Sequence, residues 1–413
     1  MLAGLIAAFN KRGEPGTAGS LAAWVRISTG NNAAMSDLSV SDLPTPPHRR
    51  DVLLGLAAVP VAFVSARAAR KYSGLELVAT FTVPRQVTGV AVSPTNRIFV
   101  NFPRWEEDVS ISVAEVGPGG RLTPYPNSAW NAFRNADPKA ALPQQSFVCV
   151  QSVTVDPRGR LWVLDAAAPG LTFIVPGGPK LVCINLATNE VERVYHFGTD
   201  VAPQGSYLND IRFTPDGRRA VITNSGSPGS LVVLDIASGA ARNVLSGDPS
   251  TQFDPNLVIT VSGQQLRMLD GQPAHFSADG LIVDATGQYA IWQATTGHTI
   301  YRAPIAALFD ASLTEVQLAS RVQVVAQSFV TDGYWLSRRG QFLLTSPEDY
   351  SVKRMMPDGT FRIEVQDKRL FWPDSMAEGP DGSIYVTASH IPEMKTWQGP
   401  GIKQTELFRF KPR

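Results

Sequence analysis

The feature that most constrains this chain is a unit that recurs six times. VTGVAVSPTNRIFV (87–100), VQSVTVDPRGRLWV (150–163), LNDIRFTPDGRRAVI (208–222), ADGLIVDATGQYAI (278–291), TDGYWLSRRGQFLL (331–344) and PDSMAEGPDGSIYV (373–386) share one pattern. Each holds a short strand, a turn usually built on Gly or Pro, and a second apolar strand, which is a hairpin signature. The first strands are nearly continuously apolar, as expected when both faces are buried. A third strand follows each hairpin: Ser112–Val116, Leu181–Leu186, Leu231–Ile236, Thr299–Ala303, Val352–Met356 and Glu406–Phe410. A fourth is read at Val191–Phe197, Ala241–Leu245, Glu315–Ala319 and Phe361–Val365.

The residues that open the first strands are Thr88, Gln151, Asn209, Asp279, Asp332 and Asp374, at intervals of 63, 58, 70, 53 and 42 residues. Four-stranded units at such a spacing stack radially, so the fold class expected is all-β, a six-bladed β-propeller over 69–413. Glu76–Phe81 lacks a partner of its own and the last repeat lacks a fourth strand. The N-terminal strand is therefore expected to complete the last blade, removing two exposed edges. Such a ring also explains how a chain longer than the usual limit for one core stays a single domain.

Composition agrees: 34 Gly and 31 Pro punctuate a chain that is 44% apolar and only 18% charged. A net charge of +1 gives no electrostatic reason for a nucleic-acid or anionic-membrane partner. Two cysteines exclude a zinc ribbon, an iron–sulfur site and a disulfide framework. Cys149 and Cys183 either pair in an oxidising compartment or are small buried residues in adjacent strands.

Residues 1–68 read as a segment outside the fold. Arg49-Arg50, an apolar run from Val52 to Val64 and the Ala66-Arg67-Ala68 site follow the order of a secretory signal, and the paired Arg resembles a twin-arginine export signal. Met35 is a natural start. The expected location is the periplasm or the extracellular space, with no membrane attachment after signal removal; the other reading is a short N-terminal helix on a cytosolic enzyme.

First strands line the channel of a propeller, so the six opening residues should converge at one mouth. Three carboxylates there repel one another, and either one holds a proton or a cation sits among them. Asn209, Asp279, Asp332 and Asp374 form the tentative metal set, and hard oxygen donors favour Ca²⁺ or another divalent cation of that kind. Equally, an Asp or Asn opening a strand braces neighbouring backbone. Thr88, Gln151, His275 and Trp105 complete the candidate ligand-binding set, and Asp279 and Asp332 are the candidates for any catalysis. His298 and His390 are expected at the opposite rim. The long segment from Trp105 to Ser146, with Tyr125, Trp130 and Phe133, is expected either to fold over one face as a lid or to pack against blade one. No G-x-S-x-G, H-E-x-x-H or G-x-G-x-x-G occurs.

NFPRWEEDVSISVAEV (101–116) with LTPYPNSAWN (122–131) resembles the first-blade signature of the Yellow/major royal jelly protein family, in its bacterial branch. RGRLWVLDAA (158–167), KLVCINLATNEVERVYHF (180–197), SYLNDIRF (206–213), SADGLIVD (277–284), TDGYWL (331–336) and LFWPDSMAEGPDGSIYVTASH (370–390) continue it in family order. The resemblance implies a secreted six-bladed propeller that binds a small polar or aromatic ligand. Family members are associated with melanin-pathway chemistry such as dopachrome conversion, which is tautomerase-like, and some bind small amines. A more distant resemblance is to the gluconolactonase/senescence-marker propellers, which imply a metal-dependent lactonase or esterase. Asn209 and Asp279 fit positions of their cation site, but Thr88 stands where they carry a Glu. A non-enzymatic interaction scaffold is the third reading.

Overall fold

The computed structural model describes residues 74–413. The signal sequence read at 49–68, the start at Met35 and the rest of the N-terminal extension lie outside the described residues.

Six four-stranded antiparallel sheets follow one another along the chain and form the blades of a six-bladed β-propeller. Blade one holds Val90–Val92, Ile98–Asn101, Val113–Val116 and Leu122–Pro124. Blades two and three open with Val150–Val155 and Leu208–Phe213, and blades four, five and six with Ala278–Val283, Tyr334–Leu336 and Pro373–Glu378. In the last sheet Glu76–Phe81 pairs antiparallel with Thr405–Phe410, from Glu76 opposite Arg409 to Phe81 opposite Thr405. The first strand of blade four is buried along its whole length, because blades pack on both of its faces. The apolar clusters lie mainly between neighbouring blades; Trp162 and Leu164 of blade two, for example, pack with Ile211, Ile222 and Leu234 of blade three.

One expected strand is a helix. Glu315–Ala319 is α-helical, opened by a capping box in which Thr314 and Gln317 satisfy each other's backbone N–H groups. Gln323–Gln327 takes the fourth-strand place of blade four instead. The T-x-x-Q sequence carries that helix start and overrides the apolar spacing of the segment. The end of blade two's hairpin holds a buried ion pair, Lys180 Nζ to Asp165 Oδ2 at 2.6 Å. That carboxylate also accepts from the backbone N–H groups of Val148, Cys149 and Ala167, so its lone pairs are used. Cys149 and Cys183 are both buried free thiols. Burial pushes each up to about 12, which leaves them inert apolar residues at neutral pH. Among the described residues no helix is long and apolar enough to cross a membrane.

Candidate functional site

The first strands open at one face, and four of them break register there. The breaks fall between Val150 and Ser152, Leu208 and Ile211, Ala278 and Leu281, and Pro373 and Met376. Gln151, Asn209, Asp279 and Asp374 sit inside these four breaks; in blade five Asp332 precedes the paired strand altogether. A break frees the residue from the ladder and re-aims its side chain, as bulges beside functional sites commonly do. Side chains on the second strands hold the breaks in place. Thr223 Oγ1 accepts from the Asp210 N–H at 3.0 Å and donates to the Asp279 carbonyl of the next blade at 2.8 Å. Thr387 does the same between the Ser375 N–H and the Thr88 carbonyl, at 3.1 and 2.7 Å. Asn101 Nδ2 reaches the Gln151 carbonyl at 3.0 Å. Glycine follows the opening residue where neighbouring blades come closest: a Cβ on Gly333 would lie 2.1 Å from the Asp374 carbonyl oxygen.

The result is an open cavity of about 1080 Å³, solvent at its mouth included. Its floor carries Gln151, Asn209, Asp279, Asp332 and Asp374, and its upper wall is aromatic, with Trp105, Tyr207, Phe253, Phe276 and Trp397. Hydrogen bonds run across four blades. Trp105 Nε1 donates to the Tyr207 hydroxyl (2.6 Å), which donates to Gln151 Oε1 (2.9 Å). Gln151 Nε2 donates to Asn209 Oδ1 (3.0 Å), and Asn209 Nδ2 donates to Asp279 Oδ2 (2.7 Å). Thr295 Oγ1 donates to that same carboxyl oxygen at 2.9 Å. Asp332 Oδ2 accepts from the indole of Trp372, a buried residue held at φ 61°.

Burial raises the protonation range of all three carboxyl groups. Asp279 and Asp374 lie well above the usual carboxylate range, because burial disfavours their charge and Asp332 repels it. Asp332 is pushed up to about 7 by burial, against the Trp372 indole, which favours its charged form. Asp210 adds to the repulsion at each of them. Its own partner is Arg212, two residues along the strand, at 3.2 Å. Arg212 also donates to the Tyr334 carbonyl of blade five, so this cation reaches from one blade to another two places round the ring.

The structure places the sequence candidates in three settings. Gln151, Asn209, Asp279, Asp332, Asp374, His275 and Trp105 all line the cavity. Thr88 does not: its buried hydroxyl accepts from Asn101 Nδ2 at 2.8 Å and donates to the Gln151 carbonyl at 3.0 Å, inside the wall between blades one and two. His390 lies at the cavity end and not at the opposite rim, because an antiparallel hairpin returns the chain to the face where its first strand begins. Its neighbour Ile391 lines the cavity, and its ring nitrogens contact Glu393 and Glu406 at 3.0 and 2.9 Å. The same return brings His298 to this face.

Of the 105–146 aromatics only Trp105 meets the cavity. Tyr125 and Phe133 are buried, and Trp130 packs against Phe147 with ring centroids 5.1 Å apart and planes tilted by 41°. The turn that carries them is anchored by Arg104, fully buried, whose guanidinium donates to the carbonyls of Val109, Phe133, Phe147 and Val148. The aromatic cover comes instead from the connection between blades three and four and from the segment after His390, which share one apolar cluster containing Ile259, Val261, Met394 and Trp397.

Asp210, Arg212, Tyr207 and Trp372 were not singled out by the repeat. Asp210 occupies the position that holds Gly or Ser in the other five units, and Arg212 follows it on the same strand face; that departure was the available signal.

A divalent cation does not fit this donor set. Asn209 presents its N–H₂ to Asp279 and turns its oxygen to Gln151. Asp279 Oδ2 is taken by two donors and Asp332 Oδ2 by an indole. Among the described residues no three His, Cys, Asp or Glu side chains are grouped so as to hold a metal ion.

The family model described as major royal jelly protein matches residues 148–392, more than half of the chain. No curated protein matches it. Among solved structures, the fold resembles virginiamycin B lyase from Staphylococcus aureus (12% identity, TM-score 0.44, covering 81% of this chain and 98% of that one). It also resembles a gluconolactonase from Xanthomonas campestris (11%, TM-score 0.46, 80% and 86%). A third is regucalcin, a calcium-binding protein from Agrobacterium tumefaciens (14%, TM-score 0.46, 82% and 96%).

Proposed function

Because this chain belongs to the major royal jelly protein family, we propose that its channel mouth binds a small aromatic molecule bearing a polar, preferably basic, group, and that any chemistry there is tautomerase-like. The observation that carries this reading is the pairing of an aromatic wall with a floor of carboxyl groups in one open cavity. The ring of a ligand would stack among Trp105, Tyr207 and Trp397. Its polar end would meet Asp279, Asp332 and Asp374. An ammonium group favours their charged forms and supplies the opposite charge that burial otherwise withholds. We place the protein outside the cytoplasm, on the strength of the basic pair, apolar run and Ala-x-Ala site at 49–68.

Lactonase chemistry of the gluconolactonase type needs a cation, and the donor set described above does not fit one; no hydrolytic step is assigned to these residues. Tryptophan fluorescence tests the binding reading, since Trp105, Trp372 and Trp397 line the cavity. Tyramine should bind at least tenfold more tightly than 3-(4-hydroxyphenyl)propionate, which has the same ring and the opposite charge. Equal affinities would overturn the charge preference, and absence of binding by either would leave the surface scaffold as the better reading. N-terminal sequencing of exported protein should find a start near Ala69; retention of 35–68 would overturn the export reading.

A further inference from the structure

The connection 389–404 joins the second and third strands of blade six, Ile384–Ala388 and Thr405–Phe410. Ser389 and His390 hang it on the connection before, donating their N–H groups to the carbonyls of Trp372 and Phe371 at 3.0 and 3.1 Å. Beyond His390 the backbone bonds turn inward. Trp397 and Gly399 donate to the Met394 carbonyl, and Gly401 donates to that of Glu393 at 2.7 Å. A loop bonded to itself in this way is a compact unit. Its inner side is apolar: Ile391 and Trp397 line the cavity, and Met394 and Ile402 join them in a cluster with Ile259 and Val330. Two polar ties reach its neighbours. Thr396 donates its N–H and Oγ1 to Glu106, beside Trp105, at 2.6 and 2.9 Å, and Gln398 donates to the Met268 carbonyl.

The third tie is His390, at the foot of the loop with φ 53°. Its Nδ1 lies 3.0 Å from Glu393 Oε2 on the loop, and its Nε2 lies 2.9 Å from Glu406 Oε2 on the strand. Gln404 holds the other oxygen of Glu406 at 2.9 Å, and Phe371 meets the imidazole edge-on. An ionised carboxylate only accepts, so both ring nitrogens must carry hydrogen to satisfy both neighbours. That species is the imidazolium; a neutral ring turns a lone pair towards one carboxylate and unmakes that side. The other charges nearby are exposed or engaged: Lys395 and Lys403 face solvent, Glu106 is taken by Thr396, Glu107 pairs with Arg85 and Asp367 with Arg369. The side chains of His390 and Glu406 are only 15% and 12% exposed, so water screens this pair less than a surface one. We propose that the loop 391–403 is a pH-operated lid on the cavity, latched by the Glu393–His390–Glu406 bridge in neutral and acidic solution and released in alkaline solution.

The sign follows from the partners. Burial opposes the charge on His390, but the hydrogen bonds and negative charge of Glu406 and Glu393 outweigh it and hold the imidazole above its ordinary 6.5. A proton bound more tightly in the folded protein stabilises it fully below the unfolded value, and that stability is lost as pH rises through the folded one. Losing one charge-assisted hydrogen bond raises the open fraction of the lid about tenfold. Ile391 and Trp397 move with the loop, so release widens the way in and out of the cavity. The consequence for ligand traffic rests on the reading that the cavity binds a small aromatic amine; the motion of the loop does not.

The test is amide hydrogen exchange of the mature protein against pH, corrected for the intrinsic rate. In wild type, protection of 391–402 should fall about tenfold through a midpoint above the ordinary histidine value, while 219–235 in blade three stays level. H390Q should give the low protection at every pH. E406Q should move the midpoint to lower pH, since one of the groups that hold the proton is gone; a histidine that merely fills space would show no such shift. Tyramine release by stopped-flow fluorescence gives a second readout. It should be faster in H390Q than in wild type by the same factor in acid, and equal in alkali; titration of Asp332 is common to both proteins and cancels in the ratio. Wild-type protection that does not change with pH, an unmoved midpoint in E406Q, or a release ratio that is the same at both ends overturns the lid. If tyramine binds neither protein, the binding reading fails and exchange alone decides the lid. Melting temperatures identify a variant that fails to fold, in which case wild type and E406Q still decide.

Discussion

Asn209 Nδ2 donates to Asp279 Oδ2 at 2.7 Å across the boundary between blades three and four, while its own oxygen accepts from Gln151. The amide is thus spent on linking three blades. Asp279 is received by donors that a neutral acid can also satisfy, since the oxygen they use is the acceptor in either protonation state.

Asp279→Asn should accordingly be mild. An amide oxygen accepts from Asn209 and Thr295 as the carboxyl oxygen does, and the N–H₂ replaces the acid's O–H. We expect a change within about 1 kcal/mol at pH 7, against about 1–3 kcal/mol lost in Asn209→Leu, which strands two buried partners. Urea unfolding at pH 7 measures both.

The carboxyl floor makes stability fall as pH rises. A carboxyl group whose protonation range is higher folded than unfolded binds more protons in the native state, so its contribution is complete below the unfolded value and is lost through the folded one. For Asp332 that window runs from the ordinary 3.8 to about 7. Asp332→Asn should flatten the fall by at most about 1.4 kcal/mol per pH unit inside the window. Asp367 and Asp108, held below the ordinary range, give the opposite slope at lower pH in both proteins and cancel in the difference. Melting temperatures of wild type and variant from pH 4 to 8 check the sign.

Gly333→Ala tests the close contact between blades five and six. Its Cβ would collide with the backbone carbonyl of Asp374, and backbone cannot rotate away as a side chain would. A loss at the upper end of the overpacking range, about 3 kcal/mol, is expected, with tyramine affinity falling as Asp332 and Asp374 are pushed apart. An alanine tolerated within 0.5 kcal/mol, roughly what an indifferent surface site shows, would mean the blades separate easily.

Divalent cations should not matter to this fold. A ligand bound only by the native state would raise the melting temperature by mass action. Millimolar EDTA and millimolar Ca²⁺ are each expected to leave it unchanged by calorimetry, and a calcium-dependent rise that disappears in Asp279→Asn would contradict the hydrogen-bond assignments on the floor.

The ring was legible in the sequence because hairpins announce themselves locally. Alternating apolar strands and Gly-bearing turns recurred six times, and the opening residues of five units do line one cavity. Chemistry was harder to read. Thr88 shares its position in the repeat with the acids, yet its short hydroxyl is captured by Asn101 and never reaches the cavity. Arg212 contacts blade five from blade three, a relation with no trace in spacing. Glu315–Ala319 shows a two-residue capping signal outweighing the expected strand. His390 was misplaced by reading the end of a second strand as the far rim, though an antiparallel partner must come back.

The threonine braces change what counts as one unit of this molecule. Thr223 belongs by sequence to blade three and holds the carbonyl of Asp279 in blade four; Thr387 belongs to blade six and holds Thr88 in blade one. The exchangeable module is therefore out of phase with the visible blade. A chimera cut between blades would transplant Asp279 without the hydroxyl that seats it. Cut between the first and second strands of a blade, the same transplant would carry residue and seat together.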